Sequence, residues 1–268
     1  PISSIGVGKV VASASPMFQP GDQIRSEQFP WEKYAVLSDS EIMPIPVSDR
    51  PLTDYIGVLG MPSFTAYLGL VGVGAPTAGE TLLVSAASGA VGQIAVQLGK
   101  ARGLKVIGIA GSDEKAAYIK DIGADEALNY KTCGDYVQAI KRLAPSGIDI
   151  YFDNVGGELL DAVLLNLNTH ARVIICGSMA TYATNKANIS GVKNLDTVIT
   201  KEVSLKSIFY LPHMGTPIED DFVREMSRLV EEDKIKFKLD VRDGLEKAPQ
   251  ALVDLFTGAN FGKVIVTV

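Results

Sequence analysis

Histidine and cysteine are both scarce, with two of each in 268 residues. Cys133 and Cys176 cannot build a disulfide framework, so a reducing compartment, the cytoplasm, is expected. His170 and His213 lie far apart and lack ligand spacing; surface histidines are the plain reading. Basic clusters are missing too. With a net charge of -6 and no Lys/Arg stripe, nothing is available to neutralise a phosphate backbone, which excludes nucleic acid as a partner. Continuous apolar spans are also lacking. Residues 56–79 and 81–99 carry no charge, but Pro62, Pro76 and several glycines interrupt the first, and Ser85, Ser88, Gln93 and Gln97 interrupt the second. No membrane span is expected from either. The first residues do not read as a secretory leader, and the chain enters at once into a β-like run over 5–11, as from the middle of a domain.

What is present is material for a globular core, 47% hydrophobic and 21% charged. From Thr81 onward, β-branched runs at 81–85, 105–110, 127–129, 148–153, 172–176 and 204–209 alternate with helical stretches at 91–102, 114–122, 136–143, 159–167 and 195–201. Gly103 and Gly123 stand just past two of these helices, where left-handed C-caps belong. The rhythm predicts an α/β fold, a doubly wound parallel sheet of the Rossmann type. Residues before about Tyr55 read differently, with short extended runs and a Pro20-Gly21-Asp22 turn, as part of a smaller β domain. The tail gives a helix at 218–232, a strand at 238–241, a helix at 245–256 and a last strand at 263–268. We expect it to return to the first domain, so that 1–58 and 235–268 form one unit and 59–234 the dinucleotide domain, with a cleft between.

Ala87-Ser88-Gly89-Ala90-Val91-Gly92 follows a strand and opens a helix, the setting a dinucleotide fingerprint requires. Gly89 removes a side chain that would block a pyrophosphate, Gly92 lets helix and strand approach, and the helix N-terminus offers N–H groups through Ala90 and Val91. Ala87 replaces the first glycine of the pattern. The second strand ends in Gly111-Ser112 without the carboxylate that would hold a ribose 2′-hydroxyl. Asp113 and Glu114 come later, as first-turn acids, and Lys115 follows within reach of a 2′-phosphate. A missing acid and a present cation favour NADP(H) over NAD(H).

Gly60-Met61-Pro62-Ser63-Phe64-Thr65-Ala66-Tyr67, Gly89-Ala90-Val91-Gly92-Gln93, Gly111-Ser112-Asp113-Glu114-Lys115, Phe152-Asp153-Asn154-Val155-Gly156-Gly157 and Asn260-Phe261-Gly262-Lys263 occur in order along nearly the whole chain. Together they resemble the zinc-independent alkenal/prostaglandin reductases, curcumin reductases included, of the medium-chain dehydrogenase/reductase superfamily. The resemblance implies a GroES-like β domain lacking an N-terminal segment on the order of 70 residues. It implies that the turn from Gly89 to Gly92 holds the pyrophosphate, and that Ser112, Lys115 and Tyr130 surround the adenosine 2′-phosphate. Asn154 would lie on the cofactor. Cys176, Gly177, Ser178 and Tyr182, with Ile208, Phe209 and Tyr210, would flank the nicotinamide, and Asn260 would close over it. It further implies a homodimer pairing the strand near 204–209. Thr200 stands where prostaglandin-type reductases carry tyrosine, and the stretch 183–194 lacks their proline-rich loop, so the substrate stays open.

Zinc dehydrogenases of that superfamily need Cys and His ligands, and the positions where they would fall, near 5–10 and 25–34, contain neither. Without a metal, alcohol oxidation has nothing to stabilise an alkoxide. A conjugated enal or enone poses an easier problem: hydride at the β-carbon leaves an enolate that one or two hydrogen-bond donors can stabilise. Tyr182 and Tyr210 are the candidate catalytic residues, as proton donors to the α-carbon. Two other functions fit the same residues, an NADPH quinone reductase and a nucleotide-binding structural protein without catalysis.

Overall fold

A computed structural model describes residues 2–46, 49–189 and 191–268; Pro1, Val47, Ser48 and Ser190 lie outside the described residues, the last within the divergent 183–194 stretch. The large sheet has six parallel strands: β4 (Thr81–Val84), β5 (Lys105–Ala110), β6 (Glu126–Asn129), β7 (Ile148–Asp153), β8 (Leu167–Ile175) and β9 (Ser204–Ser207), in the order β6-β5-β4-β7-β8-β9. This is the doubly wound order, with the chain reversing direction of travel between β4 and β7. Period-two alternation sorts side chains to its faces. Leu82 and Val84 join Ile94, Leu98, Phe152 and Met226 in one core, while Leu83 joins Ile107, Tyr151, Val163 and Val173 in the other. Helices α2 (Gly92–Ala101) and α8 (Pro217–Glu231) cover the first face; α4 (Tyr136–Leu143) and α5 (Gly157–Leu164) cover the second. No helix among the described residues is long and apolar enough to cross a membrane.

Every strand expected in this sheet is present. The helix expected over 159–167 ends at Leu164, because the chain turns into β8 at Leu167 to pair with Ile148; an irregularity follows at His170, whose φ is +62°. The elements that went unforeseen include a helix before the sheet. Residues Met61–Tyr67 form α1, and Leu68–Gly74 continue it as a π-helix. Three glycines there hide any helical apolar stripe, yet a Cβ on Gly69 would fall 2.6 Å from Phe152 and 2.8 Å from Ile208. Glycine is what lets this segment sit on the sheet.

The first residues make an antiparallel sheet of β1 (Ser3–Lys9), β2 (Gln23–Pro30) and β3 (Met43–Pro44), with the turn at Gly21 closed by hydrogen bonds between Val10 and both Gly21 and Asp22. The tail gives β10 (Leu239–Asp243), α9 (Ala248–Thr257) and β11 (Lys263–Thr267), β10 and β11 pairing in parallel as a sheet of their own. The side-chain amides of Gln93 and Gln97, on α2, exchange hydrogen bonds with the backbone of Lys238 and Lys236 at 2.7–3.3 Å. A bridge between Gly89 and Gly262 then lays the end of the tail against the turn after β4.

Candidate active site at the carboxyl edge of the sheet

Ligands of doubly wound sheets bind outside the carboxyl ends of the strands, where the order reverses. The residues singled out from sequence lie there, directly after β4, β5, β6, β7, β8 and β9, and Asn260 reaches the same edge from the tail. The turn after β4 is tight. Ala86 takes φ +47°, a left-handed conformation unusual for alanine, and Ala87 is fully buried below it. A Cβ on Gly92 would lie 2.4 Å from the Ala86 carbonyl oxygen and 2.7 Å from the Ala87 Cα, so only glycine fits. Gly89 is different: its Cβ would meet just one atom, at 3.1 Å, and would otherwise project outward. Ala90 and Val91 stand at the N-terminus of the ten-residue α2, ahead of its intrahelical hydrogen bonds and beside the bridge to Gly262. A turn opened by glycine at Gly89, backed by the N–H groups and dipole of a helix N-terminus, fits a pyrophosphate.

Beyond β5, Ser112 N-caps α3 (Asp113–Asp121) by accepting the Lys115 N–H at 3.2 Å. Asp113 is occupied by Asn129, whose amide donates to it at 2.7 Å. The Lys115 ammonium donates to the Gly258 carbonyl at 2.6 Å and lies 6.0 Å from the Phe261 ring. Burial, then the nearby positive charge of Lys131, lowers its pKa below the ordinary lysine value. Two cations therefore crowd one spot, and Tyr130 walls it: a Cβ on Gly111 would lie 2.9 Å from the tyrosine ring. Lys238 lies over the same Phe261 ring, 4.4 Å from its centre. Sequence reading missed Lys131, because it stands in no fingerprint and only folding brings it to Lys115.

On the far side of the reversal point, Asn154 is buried, its side-chain amide donating to the Ser85 carbonyl at 2.7 Å and its N–H to the Ser85 hydroxyl at 2.9 Å. Cys176 and Gly177 donate their N–H groups to the Asp153 carbonyl, and Ile208 donates to Ile175. The Cys176 thiol is pushed up to about 12, mainly by burial and then by Asp153, so it stays protonated and serves as packing. The two candidate proton donors differ. Tyr182, at the end of the short α6 (Met179–Tyr182), accepts the Ser178 N–H at 3.1 Å, which leaves its own hydroxyl proton uncommitted. Tyr210 instead donates to the Glu27 carboxylate at 2.5 Å, across 183 positions of sequence, and Arg25 stands 3.3 Å from the same carboxylate. Burial first, then Glu27, drives the Tyr210 pKa far up. Phe209 is exposed and packs edge-on to Tyr210. Glu27 is a residue that sequence reading could not reach, since nothing local marks its partner.

The profile of zinc-binding dehydrogenases matches residues 90–231. The whole chain is 42% identical to the NADP(+)-dependent 2-alkenal reductase of Nicotiana tabacum, spanning 77% of that protein. Over 98% of its length it is 39% identical to the NADPH-dependent curcumin reductase of Escherichia coli, spanning 76% of it. The crystal structure of CurA from Vibrio vulnificus in complex with NADPH superimposes with a TM-score of 0.90 at 36% identity, over 98% of this chain and 79% of that one. The chain belongs to the zinc-independent alkenal reductase family of the medium-chain dehydrogenase/reductases. In this member of the family, no three His, Cys, Asp or Glu side chains among the described residues converge as a metal site. Beside Tyr210 an apolar cavity of about 410 Å³ opens, bounded by Met43, Leu59, Met61, Phe64 and Phe222 with Arg25 in its wall.

Proposed function

We propose that this alkenal reductase binds NADPH along the carboxyl edge of its six-stranded sheet and reduces the carbon-carbon double bond of α,β-unsaturated aldehydes and ketones. The observation that carries the reading is the pairing of a turn opened by Gly89 and Gly92 with a lysine corner beyond β5, where Asp113, the first carboxylate after the strand, is engaged by Asn129. When bound, the cofactor supplies the hydride that saturates the β-carbon. The remaining work belongs to the chain. Ala90 and Val91 hold the pyrophosphate, and Lys115, Tyr130 and Lys131 the 2′-phosphate. Asn154, Cys176–Ser178 and Ile208 shape the nicotinamide end, and Asn260 covers it from the tail. The 410 Å³ cavity is large enough for the apolar remainder of a small enal. Residues 1–58 with 235–268 form the substrate unit and 59–234 the dinucleotide unit. The edge strand β9, with each of its four residues exposed, is where two copies pair, and a solution mass of one chain by sedimentation would remove that part of the reading.

Of the two tyrosines, Tyr182 is the better placed to give a proton to the α-carbon. Its hydroxyl oxygen already receives a backbone N–H, which can hold charge left behind when the proton goes, whereas the Tyr210 proton is committed to Glu27. Converting Tyr182 to Phe lowers kcat by about 100-fold or more with little change in NADPH affinity. Turnover of an enal unchanged in that variant removes Tyr182 as donor. For the reaction itself, NADPH absorbance is followed with a panel of enals, enones and quinones. Enals and enones are consumed fastest; oxidation by quinones alone would replace this reading with a quinone reductase, and oxidation by none with a binding protein.

A further inference from the structure

Asp153 ends β7 beneath the crevice, is 1% exposed, and has no part in the chemistry described so far. One of its carboxylate oxygens accepts the Tyr151 hydroxyl at 2.7 Å, the Gly156 N–H at 2.8 Å and the Val155 N–H at 3.0 Å, and as a fourth donor the Ser85 hydroxyl at 3.3 Å, whose one proton it shares with the Phe152 carbonyl, also at 3.3 Å. Its backbone carbonyl accepts the N–H groups of Cys176 at 2.8 Å and Gly177 at 3.1 Å. Ser85 passes the connection on, since its hydroxyl accepts the Asn154 N–H and its carbonyl the Asn154 amide. Three separate loops, those after β4, β7 and β8, are thus pinned to one residue. Among the described residues, none of its hydrogen bonds reaches the loops after β5 or β6, which carry Lys115 and Tyr130.

We infer that Asp153 is a positioning residue for the nicotinamide half of the crevice, fixing the mutual register of three loops without touching the cofactor. The inference rests on the NADPH reading above and adds to it a division of labour within the site. Hydrogen bonds to an ionised acceptor are stronger than those to a neutral one, and a dry surrounding strengthens them further. The second carboxylate oxygen is buried and has no hydrogen-bond partner among the described residues. Asp153→Asn can therefore keep the four-donor oxygen in place while removing the charge that makes it a strong acceptor. Loops held less firmly misplace the nicotinamide against the substrate, and small misplacements are costly in rate.

The test separates the two halves of the cofactor. Adenosine 2′,5′-bisphosphate probes only the Lys115 side, and NADPH probes both; each is titrated calorimetrically into wild type, Asp153→Asn and Ser85→Ala, and kcat is measured with an enal. The expected result for Asp153→Asn is bisphosphate affinity within about twofold of wild type together with a kcat lower by about 10- to 100-fold. Ser85→Ala, which buries no new group, is expected to show the same split more weakly and decides the matter if the Asp153 variant does not fold. Equal weakening of both ligands, or an unchanged kcat, overturns the inference and makes Asp153 structural only. Wild-type protein that binds neither ligand overturns the NADPH reading and this inference with it.

Discussion

Replacing Lys115 with alanine is expected to raise the dissociation constant of NADPH by about 10- to 150-fold while leaving that of NADH within about threefold. The size follows from the worth of one hydrogen bond to a charged group, about 1.5–3 kcal/mol. The selectivity follows from geometry. The ammonium bonds only to the Gly258 carbonyl among the described residues, and with Lys131 nearby it sits at the end of β5, where the 2′-phosphate distinguishes the two cofactors. Burial and Lys131 depress the Lys115 pKa, so its charge fades with rising pH earlier than an ordinary lysine's does. On the acid side, a phosphate monoester takes up its second proton near about pH 6 and loses attraction for both lysines. NADPH affinity is therefore expected to peak between these limits, with NADH affinity flat across them. Equal losses for NADPH and NADH in Lys115→Ala would show that the lysine merely tethers the Gly258 loop.

Gly92→Ala and Gly89→Ala, one methyl group each and three residues apart, should fail in different ways. At Gly92 the new carbon would stand 2.4 Å and 2.7 Å from backbone atoms of Ala86 and Ala87, which cannot rotate away. Ala86 is already in a left-handed conformation, so the turn has little slack. Overpacking of this kind costs about 1–3 kcal/mol and at times more, and a loss at the upper end is expected for Gly92→Ala in thermal or urea unfolding. At Gly89 the nearest atom is 3.1 Å away and the methyl group points outward, so stability should fall by less than about 1 kcal/mol. On the proposed reading the same methyl group would stand where a pyrophosphate approaches the start of α2, and NADPH affinity should fall at least about tenfold. A Gly92 variant as stable as wild type would contradict the packing described for the start of α2.

How far the chain could be read before folding depended on how local each signal was. Parallel strands buried on both faces appear as short apolar runs, and β4, β5, β7 and the second half of β8 are of that kind, so the centre of the six-stranded sheet could be read in advance. The tight turn at Gly89 and Gly92 and the cation at Lys115 are local features as well. α1 and its π continuation were invisible, because glycines stand where a helical stripe would show and their reason lies in Phe152 and Ile208, far along the chain. Distance in sequence also hid the Tyr210–Glu27 contact, and with it the commitment of one candidate proton donor. Asp153 shows the same limit from another side. Its neighbour Asn154 was singled out from the motif, but only the folded chain shows that the aspartate gathers donors from the turn after β4 and its own loop while its carbonyl holds the loop after β8.

Everything about the chemistry depends on a phosphorylated nicotinamide nucleotide entering the edge of the sheet at the β4–β7 reversal. Calorimetric titration of the folded protein with NADPH, and separately with NADH, tests this most directly. The account expects saturable binding of one NADPH per chain, at least about tenfold tighter than NADH. Absence of binding by either nucleotide, with the protein verified as folded, would contradict it.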